Sequence, residues 1–301
     1  MKSQLLKVLV AAMLPVFLFL FAGNVTLNAQ IYEPEGLNMP GAWNGWSNPP
    51  TNPVLANPNQ FMDGQLIKIS TGQTRWQTIF SSNAASGNLL PGNYNWLFTS
   101  GPSTNYYANK WAGVNVVMNT LQNYTFNTGA DNNITLADGK WYTMNWEDLG
   151  YQNSRAIFME TSAEPIQITS VSVPANPIEN TPSVVYITTN DAPSPEEIIY
   201  LRYTTDGWAT SEVLIVTVSG STWQASIPGQ ASGTVVDYYV FTSTVASLSA
   251  DYDLCTIKLN NNSGTNYSFT VGTPPDPEIT WANLQWPASG AITTGSEFLV
   301  Y

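Results

Sequence analysis

The chain is predicted to be all-β, built of tandem antiparallel Ig-like β-sandwiches. Three features of its 301 residues predict this. Short apolar runs, many of them β-branched or aromatic, recur between Gly, Pro and Asn turn signals. No stretch sustains the 3.6-residue period of a helix. A domain-sized self-similarity links the middle of the chain to its end.

Residues 1–29 read as a signal peptide. Lys2 and Lys7 make a positive start, Val8–Ala22 is apolar, and Ala29 offers a small residue for cleavage. The apolar run is shorter than the roughly 20 residues a membrane span needs. The mature chain is therefore expected outside the cell, secreted or at the cell surface, with no membrane insertion and as a monomer.

Residues 30–163 form a first β-sandwich, the candidate carbohydrate-binding domain. Strands are expected at Gln65–Ser70, Trp76–Phe80, Tyr94–Phe98, Gly113–Met118, Tyr124–Asn127, Ile134–Leu136, Trp141–Trp146 and Ala156–Met159. Residues 164–272 form a second, Ig-like sandwich. Its strands are expected at Ser183–Thr189, Ile198–Thr204, Val213–Val218, Thr222–Ile227, Thr234–Thr242, Cys255–Leu259 and Tyr267–Val271. Residues 273–278 are a linker stiffened by proline. Residues 279–301 repeat the opening of the second domain, so a truncated third β module is expected there.

Composition narrows function. Charged residues are only 10% of the chain, against about 25% in ordinary globular proteins. Asn, Thr, Ser and Gly must therefore cover the surface. The net charge of −12 becomes −14 once Lys2 and Lys7 leave with the leader. Nucleic acids and anionic membranes need basic patches, so neither is an expected partner. There is no histidine, which removes Ser-His-Asp and Cys-His catalysis. A lone cysteine, Cys255, allows no internal disulfide and reads as a small buried strand residue.

The candidate site begins at GAWNGWSNPP, residues 41–50. Asn44-Gly45 is a turn dipeptide and Pro49-Pro50 excludes helix beyond it. Trp43 and Trp46 are thus held by a turn or a strand end. A flat apolar ring on stiff backbone suits the flat face of a sugar, and one of the pair is expected to plug the core instead.

Residues 41–136 resemble the glycogen-binding modules attached to amylases, branching enzymes and energy-sensing kinase subunits. The resemblance rests on Gly41, Trp43, Asn44 and Trp46, then Trp76, PGNYNWLF at 91–98, Trp111, and DNNITL at 131–136. It implies that Trp46 and Trp111 stack on sugar and that Asn133 hydrogen-bonds it. It further implies an α-glucan, starch or glycogen, as the partner polysaccharide. The family's lysine beside Tyr-x-Phe is missing; Asn95 or Trp96 stands there, and Trp96 alternates with Tyr94 and Phe98 as a core residue would. An insertion at 101–110 leaves Tyr106 and Tyr107 as alternative platforms to Trp111. The second domain more loosely resembles the small starch-binding sandwiches beside bacterial amylases, and also fibronectin-type spacers, through IYLRYTTDGWAT, STWQASIPG and VDYYVFTS. Trp208, after the turn dipeptide Asp206-Gly207, is expected to be exposed there. The Asn-Ala-Gln leader ending resembles those of Bacteroidota.

No catalytic pair is expected within these residues. Glycoside hydrolysis needs two carboxylates facing each other across about 5–10 Å. Glu147-Asp148 and Glu196-Glu197 are adjacent and point to opposite faces if extended. Asp251 and Asp253 share a face but lie in a loop-like segment. No cofactor is expected; Asp131, Asn132, Asn133 and Asp138 have the oxygen ligands Ca²⁺ takes, and equally the composition of plain turns. Two functions stay open: a non-catalytic carbohydrate-binding protein, and a structural or adhesive surface array without a sugar site.

Overall fold

A computed structural model describes residues 37–46, 65–67, 73–86, 89–100, 109–147, 153–220 and 222–274. The leader, Tyr106, Tyr107, Asp148 and the third-module segment lie outside the described residues. Those described are β-strand, turn and short 3-10 segments, arranged in antiparallel sheets like those of β-sandwiches. No helix among them is long and apolar enough to cross a membrane.

The first region carries nine strands: β1 (Gln65–Ile67), β2 (Gln73–Ser82), β3 (Gly92–Trp96), β4 (Phe98–Thr99), β5 (Lys110–Ala112), β6 (Gln122–Phe126), β7 (Asn132–Leu136), β8 (Lys140–Glu147) and β9 (Ser154–Thr161). Seven form one sheet in the order β1-β2-β8-β9-β6-β5-β4, and β3 pairs with β7. Their shared core is unusually aromatic, with Trp76, Trp96, Trp111 and Trp146 all buried in it. Gly113–Met118 makes only an isolated bridge, Asn115 to Asn133, where a strand is expected. The strand there is β5, just upstream. Phe98, Trp111 and Phe126 stand opposite one another across β4, β5 and β6, an aromatic row that fixes the register.

The second region carries β10 (Ile168–Val171), β11 (Ser183–Thr189), β12 (Ile198–Thr204), β13 (Glu212–Ile215), β14 (Thr217–Ser219), β15 (Thr222–Ile227), β16 (Val235–Ser243), β17 (Leu259–Asn260) and β18 (Tyr267–Thr270). One sheet runs β10-β11-β15-β14 and the other β13-β12-β16-β17, with β18 beside β16. The expected strand Val213–Val218 is broken at buried Val216: β13 pairs with β12, and β14 crosses to β15 in the other sheet. A strand that changes sheets makes a corner between them.

Cys255–Leu259, expected as a strand, is turn until Leu259. Its apolar side chains have a different partner. Cys255 and Ile257 pack on Ile157 and Met159, which project from the outer face of β9. The Asn145 side chain of β8 donates to the carbonyls of Leu254 (2.6 Å) and Thr256 (2.7 Å), and Gln77 of β2 donates to those of Thr256 and Ile257 (both 3.1 Å). Side-chain amides thus satisfy backbone groups that a ladder would otherwise take. Burial pushes the Cys255 thiol up to about 12, with nearby Asp251 adding to the effect, so it is a weak nucleophile. Because of this contact, β8 and β9 are covered on both faces and read as nearly continuous buried runs.

Candidate functional site

The site is built at one end of β3. Residues 38–41 run antiparallel to 96–99, with bridges Asn38–Thr99 and Gly41–Trp96. A Cβ on Gly41 would lie 2.6 Å from the Trp96 Cβ and 2.8 Å from the Asn95 carbonyl oxygen, so this close approach needs glycine. From Gly41 the chain enters a 3-10 turn at Ala42–Asn44. Asn44 Oδ1 accepts from the Gly41 N–H (2.9 Å), and the Gly41 carbonyl accepts from the N–H groups of Asn44 (3.1 Å) and Trp46 (2.9 Å). Gly45 and Trp46 then both take left-handed backbone, at φ 62° each. That conformation disfavours a bulky residue by roughly 1–2 kcal/mol.

The two tryptophans of this turn divide the work between them. Trp43 stacks on Trp96 with centroids 5.7 Å apart, tilts against Tyr94, and donates its indole N–H to the Met39 carbonyl at 2.9 Å. It is the core plug. Trp46 is partly exposed and belongs to no hydrophobic cluster among the described residues.

Alternation in β3 and β7 supplies the polar part. Tyr94, Trp96, Ile134 and Leu136 face the core. Asn93, Asn95, Asn133 and Thr135 face outward, with Asn95 opposite Asn133 and Asn93 opposite Thr135. Asn133 Nδ2 donates to Asn93 Oδ1 (2.7 Å) and Asn95 Oδ1 (2.8 Å). Asn93 Nδ2 donates to Asn133 Oδ1 and Thr135 Oγ1, both at 3.0 Å. The three amides hold one another in place: both N–H groups of Asn133 and both of Asn93 are used within the row, which leaves the Asn95 Nδ2 and lone pairs on the amide oxygens for solvent or a ligand. Trp96 is fully buried, so Asn95 occupies the outward position beside Tyr94.

Two candidates stand differently from expectation. Trp111 is fully buried, with its ring edge-on to Trp146 at 5.2 Å, and cannot present a face to a sugar here. Its alternation within β5 turns it into the aromatic core. Trp208, expected exposed, is half-buried; its ring lies 5.4 Å from that of Tyr239, and the Arg202 guanidinium sits 5.3 Å from its centroid. Tyr107 lies outside the described residues. Asn93, which the sequence reading does not single out, joins the outward face by alternating with Tyr94.

The acidic pairs are engaged elsewhere. Arg155 bonds Glu147 at 2.7 Å and Asp251 at 3.0 Å, tying the two regions together. Glu196 accepts from the Ser162 hydroxyl (2.7 Å), and this bond first, with Lys140 nearby, lowers its pKa to about 2. Among the turn residues with Ca²⁺-type oxygens, Asn132 accepts from the Val114 N–H and donates to the Trp111 carbonyl, while Asp138 accepts from the Ala84 N–H. Among the described residues no group of three or more His, Cys, Asp or Glu converges.

No protein-family model matches the chain, and no curated protein matches it.

Proposed function

We propose that this is a secreted, non-catalytic carbohydrate-binding protein whose first domain holds a neutral glucan. Trp46 is the stacking platform and Asn133, Asn93 and Asn95 are the hydroxyl partners. The single observation behind this is that a left-handed turn carrying a core-free indole is bridged through Gly41 to Trp96, at the end of the strand that bears the pre-ordered outward amides. Aromatic faces attract the CH-rich face of a pyranose, and amides pair with its hydroxyls in both directions. An amide where the resembling family has a lysine makes the site uncharged. The tandem Ig-like organisation, the signal peptide and an α-glucan as ligand belong to the same proposal. The later modules act as spacers.

A structural array is the second reading, and the burial of four tryptophans in the first core favours it. Affinity electrophoresis separates the two. The whole mature chain is used, because the second region covers the outer face of the first. Its migration should be retarded in a glycogen or starch gel relative to xylan and plain gels. Trp46→Ala should abolish the retardation with an unchanged urea-unfolding midpoint. Equal mobility in every gel would sink the proposal and leave the array.

A further inference from the structure

The end of the β2–β8 ladder holds a small cavity of about 150 Å³, lined among others by Ser81, Ser82, Asn83, Ser86, Lys140 and Trp141. We propose that this cavity is a second carbohydrate subsite, taking a single neutral sugar ring. It is separate from the Trp46 platform and built on different strands.

Four observations carry it. Of the nine described tryptophans, only Trp46 and Trp141 join no hydrophobic cluster, and Trp141 is partly exposed. An indole that packs on no core has its face available for a ligand. Around it stand hydroxyl and amide groups. Ser81, Asn83 and Ser86 present them at partly or fully exposed positions of the lining, while Ser82 is sealed behind them.

The rim is pre-ordered. Asn83 Oδ1 accepts from the Ala85 and Ser86 N–H groups (2.8 and 3.2 Å), and Asp138 Oδ1 accepts from that of Ala84 (2.9 Å). A fixed rim spares a ligand the cost of ordering it. Charge is compensated: Lys140 Nζ lies 3.7 Å from Glu160 and 3.6 Å from Glu196, which favours a neutral guest over an anion. Size sets the limit. The volume equals about five water molecules' share of liquid, room for one ring and not for a chain segment.

The test is ¹⁹F NMR of the full mature chain labelled with 5-fluorotryptophan. The Trp141 resonance is assigned by its loss in Trp141→Phe, and that of Trp46 likewise. Glucose, galactose, mannose and xylose are titrated singly. At least one should shift the Trp141 resonance saturably, with the same midpoint in Trp46→Ala. The subsite is overturned if no sugar moves Trp141, or if its response disappears in Trp46→Ala. A response at Trp46 alone overturns this subsite and keeps the platform. A response at Trp141 alone does the reverse.

Discussion

Two turns in this chain have the same local design and different fates. Asn44-Gly45-Trp46 and Asp206-Gly207-Trp208 each place a glycine and then a tryptophan in left-handed backbone, with φ of 62° and 62° in the first and 67° and 72° in the second. In the second turn the ring falls on Tyr239 and Arg202, and Arg202 itself lies 3.9 Å from the ring centre of Tyr252. In the first, the core position behind the turn is already filled by Trp43. The strain is similar. Only the packing underneath differs, so one turn serves stability and the other is free to serve a ligand.

The sharpest way to break the comparison is to remove both rings. Trp208→Ala should cost about 3 kcal/mol in urea unfolding, the low end for tryptophan truncation because the ring is half-buried. Trp46→Ala should leave the midpoint unchanged. Equal losses at the two sites would erase the distinction.

Gly41→Ala tests what lies under the first turn. Its Cβ would meet Trp96 and backbone, so the turn or strand must shift, at about 2 kcal/mol. Sugar retention should fall with it, since Trp46 is bonded to Gly41. A fully stable Gly41→Ala variant would show that the close approach is not needed.

A smaller effect separates strain from packing at Trp46. Trp46→Gly should raise stability by up to about 1 kcal/mol, by relieving left-handed strain without losing a core contact. Loss of stability would mean that the indole packs more than its exposure indicates.

The smallest effect is in acid. Bonds from the side chain and backbone of Thr210 hold the Asp206 carboxyl at about 2, below its ordinary 3.8. A depressed acid pKa stabilises the fold above the ordinary value, and that contribution is lost as pH falls from about 4 towards about 2. Trp208 fluorescence should change across this window, and Asp206→Asn should remove the transition. Trp46, with an asparagine in the corresponding place, should show none.

Much of the fold was legible in the residues. Ser183–Thr189, Ile198–Thr204 and Thr222–Ile227 lie where alternation and turn signals place them. That one ring of the tryptophan pair packs on the core was legible, but not that it is Trp43. Cys255–Leu259 misled because a β-branched and apolar run looks alike whether it joins a ladder or docks on another sheet. Trp111 misled because an aromatic after a turn-rich insertion looks like a platform until its cross-strand neighbours are known. The amide row was half visible: Asn133 and Asn95 through the family resemblance, Asn93 only through the register that sets it beside them opposite β7.

The residues alone determined the all-β character, the turn positions and the polar, weakly charged surface, because period and turn chemistry are local properties of the chain. Which indole packs on the core, which amides converge and where the second region docks are set by contacts between segments far apart in sequence. Trp43 and Trp46 carry the same side chain three residues apart, and the pairing of Gly41 with Trp96 sets the first against the core and leaves the second off it.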